Sequence, residues 1–424
     1  MANKTLAERD QDLIWHPYTQ MQNAPAPIPI IRGEGIFLIA EDGKKYIDAI
    51  SSWWVNIHGH SHPYIAKKVS EQLSTLEHVI FAGFTHPGAI ELAERLISIL
   101  PDSQSKVFYS DNGSTAVEVA LKMCFQYWSN QGKEKTKVLA FNNSYHGDTF
   151  GAMAVSARSA FTRPFEKLLF EVEFLDLPDL NNLNKLKSQI SASASEVSAF
   201  IFEPLVQGAG GMQMYEAGYL DELIKHCKNN GILTIADEVM TGFGRTGKLF
   251  ASDYLSEKAD LMCFSKGLTG GTMALGVTTC TSVIYEAFLS DNKFKTLFHG
   301  HSFTANPIAC AAALASMDIL LESETLANIQ RISVSHQAFN KRISMHPKVK
   351  CIRQTGTILA LEWASTGETS YFNSLRDNLY NFFLEHGIIL RPLGNIIYIM
   401  PPYCITNEQL DYIYKKIEEA LERF

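Results

Sequence analysis

Residues 231–271 read GILTIADEVMTGFGRTGKLFASDYLSEKADLMCFSKGLTGG, and the rest of the chain is organised around them. The apolar run Ile232–Ala236 predicts a buried strand that ends at Asp237. A second run, Leu261–Phe264, predicts another strand, and Lys266 follows it by two residues. In open α/β sheets, reactive groups sit beyond the carboxyl ends of the strands, so the acid and the amine are expected on one rim.

That pairing has a specific chemical use. A carboxylate can hold a proton on a pyridine nitrogen while a lysine amine forms a Schiff base with an aldehyde, as pyridoxal phosphate (PLP) chemistry requires. The plainer alternative is a capping or turn aspartate and a solvated lysine, and the pair alone does not decide.

Working outward, other predicted strands end in polar groups. The strand Lys106–Tyr109 runs into SDNGSTAVEVALKM, where Ala116, Val119, Ala120, Met123 and Tyr127 form one helical face. Asn112–Thr115 therefore opens a helix, a phosphate cup or an ordinary N-cap. Val138–Phe141 leads to Tyr145, whose ring can stack on a flat cofactor with His146 or Asp148 orienting it; Ala199–Phe202 leads to Glu203 and the glycine loop Gly208–Gly211.

GFGRTG matches GxGxxG at Gly242, Gly244 and Gly247, but ADEVMT separates it from the strand and KLFASDY is a poor helix start, which weighs against a nicotinamide or flavin site. His58, His60 and His62, with His299 and His301, alternate in loops; nothing fixes their convergence, so no metal site is expected.

The N-terminal part predicts a short helix at Glu8–Leu13, extended HPYT and APAPIP segments, and a hairpin at Asp42-Gly43. In SSWWVNIHG, one of Trp53 and Trp54 is expected in the core and the other on an apolar pocket. SQISASASE (residues 188–196) reads as a surface turn. Beyond about residue 320 a helix, GTILALEW, a helix Tyr371–His386, GIILRPLGNIIYIMPPY and a closing helix suggest a smaller α+β domain, with Arg391 and Tyr398 beside its strands. Arg391 suits a carboxylate, in a substrate or in a structural ion pair.

The full 424 residues exceed one small core. A net charge of −8 argues against binding to nucleic acid or anionic membrane. Seven scattered cysteines without CxxC, a charged N-terminus and no long apolar run fit a soluble cytoplasmic protein.

Taken together, SDNGSTAVEVALKM, YHGDTFGAM, EPLVQGAGGM, ADEVMTGFGRTG and SKGLTGGTMALG resemble the class III aminotransferases of PLP fold type I, essentially from end to end. The resemblance implies an α/β fold: an arm and strands over 1–60 joining the small domain, a large PLP-binding domain over 61–320 with a mostly parallel sheet between helices, and a small α+β domain over 321–424. It implies that Lys266 carries the cofactor, Asp237 pairs with the ring nitrogen, Tyr145 stacks on the ring, and Gly113 and Ser114 hold the phosphate. Tyr18, Trp53 and Tyr398 would line the substrate pocket and Arg391 would take a carboxylate. Gly300, His301 and Ser302 would complete the site from the second subunit of a homodimer. HGHSF departs here from the family's usual HGPTF, with His301 in place of proline.

WHPYTQM, SSWWVNIHG and RPLGNIIYIMPPY are further similar to those members that aminate 8-amino-7-oxononanoate in biotin synthesis, usually with S-adenosylmethionine as donor. Another class III enzyme acting on ω-amino acids or ornithine is the alternative.

Overall fold

The computed structural model describes residues 4–364 and 373–424. Its centre is a seven-stranded sheet ordered Gln104–Ser110, Gly276–Thr281, Leu261–Phe264, Leu233–Asp237, Val197–Phe202, Lys137–Phe141, Val172–Leu175. Gly276–Thr281 runs antiparallel to both neighbours; the other strands are parallel to one another. The central strands are buried on both faces, which explains why they read as continuous apolar runs rather than alternations.

Helices cover the sheet. Gly113–Asn130 starts at Asn112, whose Oδ1 accepts from Thr115 N at 2.9 Å while Asn112 N donates to Thr115 Oγ1 at 3.1 Å. Its buried positions include Ala116, Val119, Ala120 and Met123 as expected; Tyr127 packs half-buried against the same core, and Trp128 is buried with them. The alanine-rich helix Pro307–Leu320 packs against Pro63–Leu73 and Pro87–Ile99. SQISASASE is a turn only over 194–196, just before the strand Val197–Phe202; its first part belongs to the helix Leu183–Ser193, anchored by buried Leu186 and Ile190. The serines sit on its outer side, so the apolar spacing decided its structure.

Three smaller sheets accompany this body, one of them the two-stranded pair Val206–Gln207 with Gln213–Met214. Val349–Thr355, Ile358–Trp363 and Ile396–Ile399 form an antiparallel sheet. Ile30–Glu34, Phe37–Ala40 and Lys45–Asp48 form a meander, with the expected hairpin turn at Gly43 (φ +84°). Ile388–Ile389 joins that meander in parallel beside Ile47 and Asp48. The helix expected over Tyr371–His386 is observed as Leu375–Glu385; Tyr371 and Phe372 lie outside the described residues. Among the described residues, no helix is long and apolar enough to cross a membrane.

Candidate active site

A cavity of about 700 Å³ opens at the carboxyl ends of the parallel strands. Its wall includes Gly113 and Ser114 after the first strand, Tyr145 after Lys137–Phe141, Glu203 after Val197–Phe202, Asp237, and Lys266 after Leu261–Phe264. Four strands and a helix start thus bring these groups onto one rim.

Asp237 is buried, and its two oxygens have different partners. Oδ2 lies 2.7 Å from His146 Nδ1, and Oδ1 accepts from Val239 N at 3.0 Å. The expectation that His146 or Asp148 orients Tyr145 divides between the two residues. The His146 imidazole goes to Asp237, while Asp148 accepts from the Tyr18 hydroxyl, which lies 3.3 Å from that of Tyr145. Burial, with the Asp148 bond, pushes the Tyr18 hydroxyl up to about 12, and burial raises Tyr145 as well.

Glu203 accepts from Tyr145 N at 3.0 Å and Gly208 N at 2.9 Å, so it fixes the Tyr145 backbone. Its burial pushes the carboxyl up to about 7; the nearby His146 and the two amide donors oppose that rise, and Asp237 adds to it.

Lys266 has a left-handed backbone (φ +47°) immediately after the strand, where Ser265 Oγ donates to Leu275 O at 2.7 Å. This bend turns the side chain into the cavity. Nζ lies 4.4 Å from the Trp54 ring centroid. Burial lowers the amine from the ordinary lysine value to about 8, with Arg245 adding to the effect and Asp237 and Glu203 opposing it. A neutral amine is therefore accessible near physiological pH.

The cup at residues 112–115 is completed by the loop after Tyr145. Ser114 Oγ accepts from Asp148 N at 2.9 Å, and Gly147 (φ +129°) passes so close that a Cβ there would sit 1.8 Å from Ser114 Oγ. Only glycine fits this approach. Gly113 likewise lies against Val239.

The two tryptophans divide otherwise than expected, since the buried one is the one on the cavity wall. Trp54 is buried, lines the cavity and packs edge-on against Tyr398 at 6.0 Å between centroids. Trp53 is partly exposed, 5.6 Å from the Tyr18 ring, with the Arg391 guanidinium 4.4 Å from its centroid. Tyr18, Trp53 and Arg391 thus form one cluster that adjoins the cavity through Tyr145 and Trp54, but none of the three is on the cavity wall itself, and neither is Tyr398, which packs against Trp54.

Gly300, His301 and Ser302 are not on the wall of this cavity within the chain. Their loop lies beside residues 77–84: Asn306 Nδ2 donates to Glu77 O at 3.1 Å, and His78 meets Phe303 at 5.4 Å. Together these segments expose Ile80, Phe84, Phe298 and Phe303.

GFGRTG forms a buried turn and starts no helix. Arg245 lies in the core and donates to the carbonyls of Pro401 at 2.9 Å and of Trp54 and Asn56 at 3.2 Å. Of the histidines, His58 bonds Ser316, His60 bonds Asp48 and His299 contacts Lys122.

The donor set fits PLP. The helix start offers amides to a phosphate, Asp237 a carboxylate to a ring nitrogen, Tyr145 and Val239 surfaces for a flat ring, and Lys266 an amine to an aldehyde.

The class III aminotransferase family matches residues 18–421. The adenosylmethionine-8-amino-7-oxononanoate aminotransferase of Synechococcus elongatus is 48% identical over 96% of this chain and 98% of the relative. That of Staphylococcus aureus is 34% identical over 98% and 97%. The crystal structure of the enzyme so named from Methanocaldococcus jannaschii superposes with a TM-score of 0.95 at 37% identity, covering 99% of this chain and 98% of that one. An omega transaminase from Pseudomonas jessenii, solved in complex with PMP, gives 0.93 at 28% identity over 99% and 98%. The chain therefore belongs to the class III aminotransferases, PLP-dependent enzymes of fold type I.

Proposed function

We propose that this aminotransferase converts 8-amino-7-oxononanoate to 7,8-diaminononanoate in biotin synthesis, with S-adenosylmethionine as amino donor. The observation that carries it is the cluster of Tyr18, Trp53 and Arg391, which adjoins the cavity through Tyr145 and Trp54. It combines an apolar aromatic surface for a long aliphatic chain with one cation for a terminal carboxylate. Relatives named for that reaction, 34% to 48% identical over nearly the whole chain, support the reading.

PLP, when bound, supplies an electron sink for the carbanion left as a proton departs from the amine-bearing carbon. Within that frame Gly113 and Ser114 would hold the phosphate, Asp237 would keep a proton on the ring nitrogen, and Tyr145 would offer its ring to the cofactor's. Lys266 Nζ, which burial brings toward neutrality, takes the proton from the donor carbon and later returns one. Arg391 binds the keto acid's carboxylate. Trp53, Tyr18 and Tyr398 shape the channel and exclude water.

The same reading makes the enzyme a cytoplasmic homodimer in which Gly300, His301 and Ser302 reach the neighbouring cofactor phosphate. The exposed apolar cluster of Ile80, Phe84, Phe298 and Phe303 beside that loop supports it, as do seven cysteines without disulfides. His301 Nε2 is buried without a hydrogen-bond partner among the described residues, which suits a group supplied from outside the chain. A large unit over 61–320 and a small one over 321–424, joined by 1–60, fits the three larger of the four sheets.

The test is the absorption spectrum of the purified protein before and after S-adenosylmethionine, followed by assays with 8-amino-7-oxononanoate, pyruvate and 2-oxoglutarate. The reading predicts a visible band that S-adenosylmethionine shifts to shorter wavelength and turnover of 8-amino-7-oxononanoate. Turnover of pyruvate alone would move the chain to the ω-amino-acid enzymes.

A further inference from the structure

Ser51, Ser52, Trp53 and Trp54 have φ of 53°, 45°, 70° and 75°, four successive left-handed residues with no glycine among them. Residues bearing a Cβ avoid this conformation, so a run of four persists only where its surroundings impose it. The ends of the run are anchored at a distance: Ser51 Oγ donates to Met400 O at 2.7 Å, and Arg245 donates to Trp54 O at 3.2 Å. The middle is gripped by one side chain. Asp48, wholly buried at the end of Lys45–Asp48, accepts from Ser52 N at 2.9 Å and Ile50 N at 3.3 Å through Oδ1. Its Oδ2 accepts from Ser52 Oγ at 2.7 Å and lies 2.9 Å from His60 Nε2. The other nitrogen of that imidazole lies 3.2 Å from Asn56 Nδ2, so His60 is itself oriented.

The turn sends its two rings to different places. Trp54 lies against Lys266, and Trp53 lies against Arg391 and Tyr18. Neither Asp48 nor His60 reaches the cavity wall. Trp54 is on that wall and Trp53 adjoins it through the Tyr18 cluster, so the turn links Asp48 to the site.

We propose that Asp48, backed by His60, is a positioning residue for the substrate wall: it holds Ser51–Trp54 in the left-handed turn that sets Trp53 against Arg391 and Trp54 against Lys266. The inference rests on the reading that this wall receives the keto acid.

The test uses holoenzyme carrying Asp48→Asn, which keeps the size of the side chain and replaces one acceptor oxygen with a donor. The near-ultraviolet circular dichroism contributed by Trp53 is the difference between the wild type and Trp53→Phe. Asp48→Asn is expected to lose that band with its far-ultraviolet spectrum intact, and to raise KM for 8-amino-7-oxononanoate about tenfold with a smaller change in kcat. Added to Trp53→Ala, it should raise KM by less than it does alone, because part of its effect passes through the ring already removed and only the part carried by Trp54 remains. A retained Trp53 band with KM within about twofold of wild type overturns the proposal, as does full additivity in the double variant. If Asp48→Asn does not fold, Ser52→Ala removes only the Oγ–Oδ2 bond. A partial loss of the band and a KM rise of about threefold then support the proposal, and no change in either overturns it. If the wild type does not aminate 8-amino-7-oxononanoate, the functional reading fails, and the Trp53 band alone decides the role of Asp48.

Discussion

His146 Nδ1 lies 2.7 Å from Asp237 Oδ2, and both side chains are buried. The imidazole fixes the carboxylate expected to meet the cofactor's ring nitrogen, and a buried charge without such a partner is costly. His146→Ala should weaken PLP retention by roughly tenfold to a hundredfold, the worth of a hydrogen bond to a charged group. Titration of the cofactor-free variant with PLP, followed by absorbance, measures this. Unchanged affinity would remove His146 from the site's support.

Lys266→Ala should abolish turnover while leaving the fold intact. Borohydride should fix the cofactor covalently to the wild type and not to the variant. Mass spectrometry of the reduced proteins reads the difference directly, independent of any substrate.

The ionisation of Lys266 predicts a pH signature of stability. Burial brings its folded pKa to about 8, below the ordinary 10.5. Below pH 8 folding carries a charged amine into a poorly solvated place, and the penalty is fully present there. It is relieved as pH rises from 8 toward 10.5, where the unfolded chain still binds a proton that the folded chain does not. In cofactor-free protein, Lys266→Met should therefore melt above the wild type at pH 7, and the gap should close as pH rises. A gap that does not change with pH would contradict this account.

Gly147→Ala should cost at least about 2 kcal/mol of stability, because the residue combines a left-handed φ with a hard contact to Ser114 Oγ. Denaturant unfolding measures it. The displaced loop carries Asp148 and Tyr145, so PLP affinity should fall in parallel.

Arg391→Ala should raise KM for the keto acid by roughly tenfold to a hundredfold and leave the half-reaction with the amino donor nearly unchanged. Single-turnover spectra with each substrate alone separate the two.

The parts of this site that were legible in the sequence are those written in local pattern. Asp237 and Lys266 follow uninterrupted apolar runs, and Asn112 opens a helix with regular spacing, so their common rim follows from strand polarity. The task of His146 was not legible, because its partner stands 91 positions away on another strand. Glu203 was visible as an acid at a strand end, but its hold on the Tyr145 backbone depends on strand order. The left-handed turn at Ser51–Trp54 leaves no mark, since no glycine advertises it. Leu183–Ser193 shows the converse case: a serine-rich composition suggested a turn, and two buried apolar side chains one turn apart made a helix.

The pairing of Ile388–Ile389 with Lys45–Asp48 bears on how the protein is made. Ile47 N donates to Gly387 O, Met400 N to Ala49 O and Tyr403 N to Ile57 O, all at 2.8 to 2.9 Å. The segment bearing both tryptophans thus takes several of its backbone partners from residues 387–403, far along the chain. The nascent chain can arrange Asp237 and Lys266 in the central sheet while its aromatic wall is still unformed, and such long-range closure is slow. Competence to bind substrate then waits on residues 387–403, and a nascent chain stopped before residue 387 would lack the backbone partners that frame the tryptophan turn.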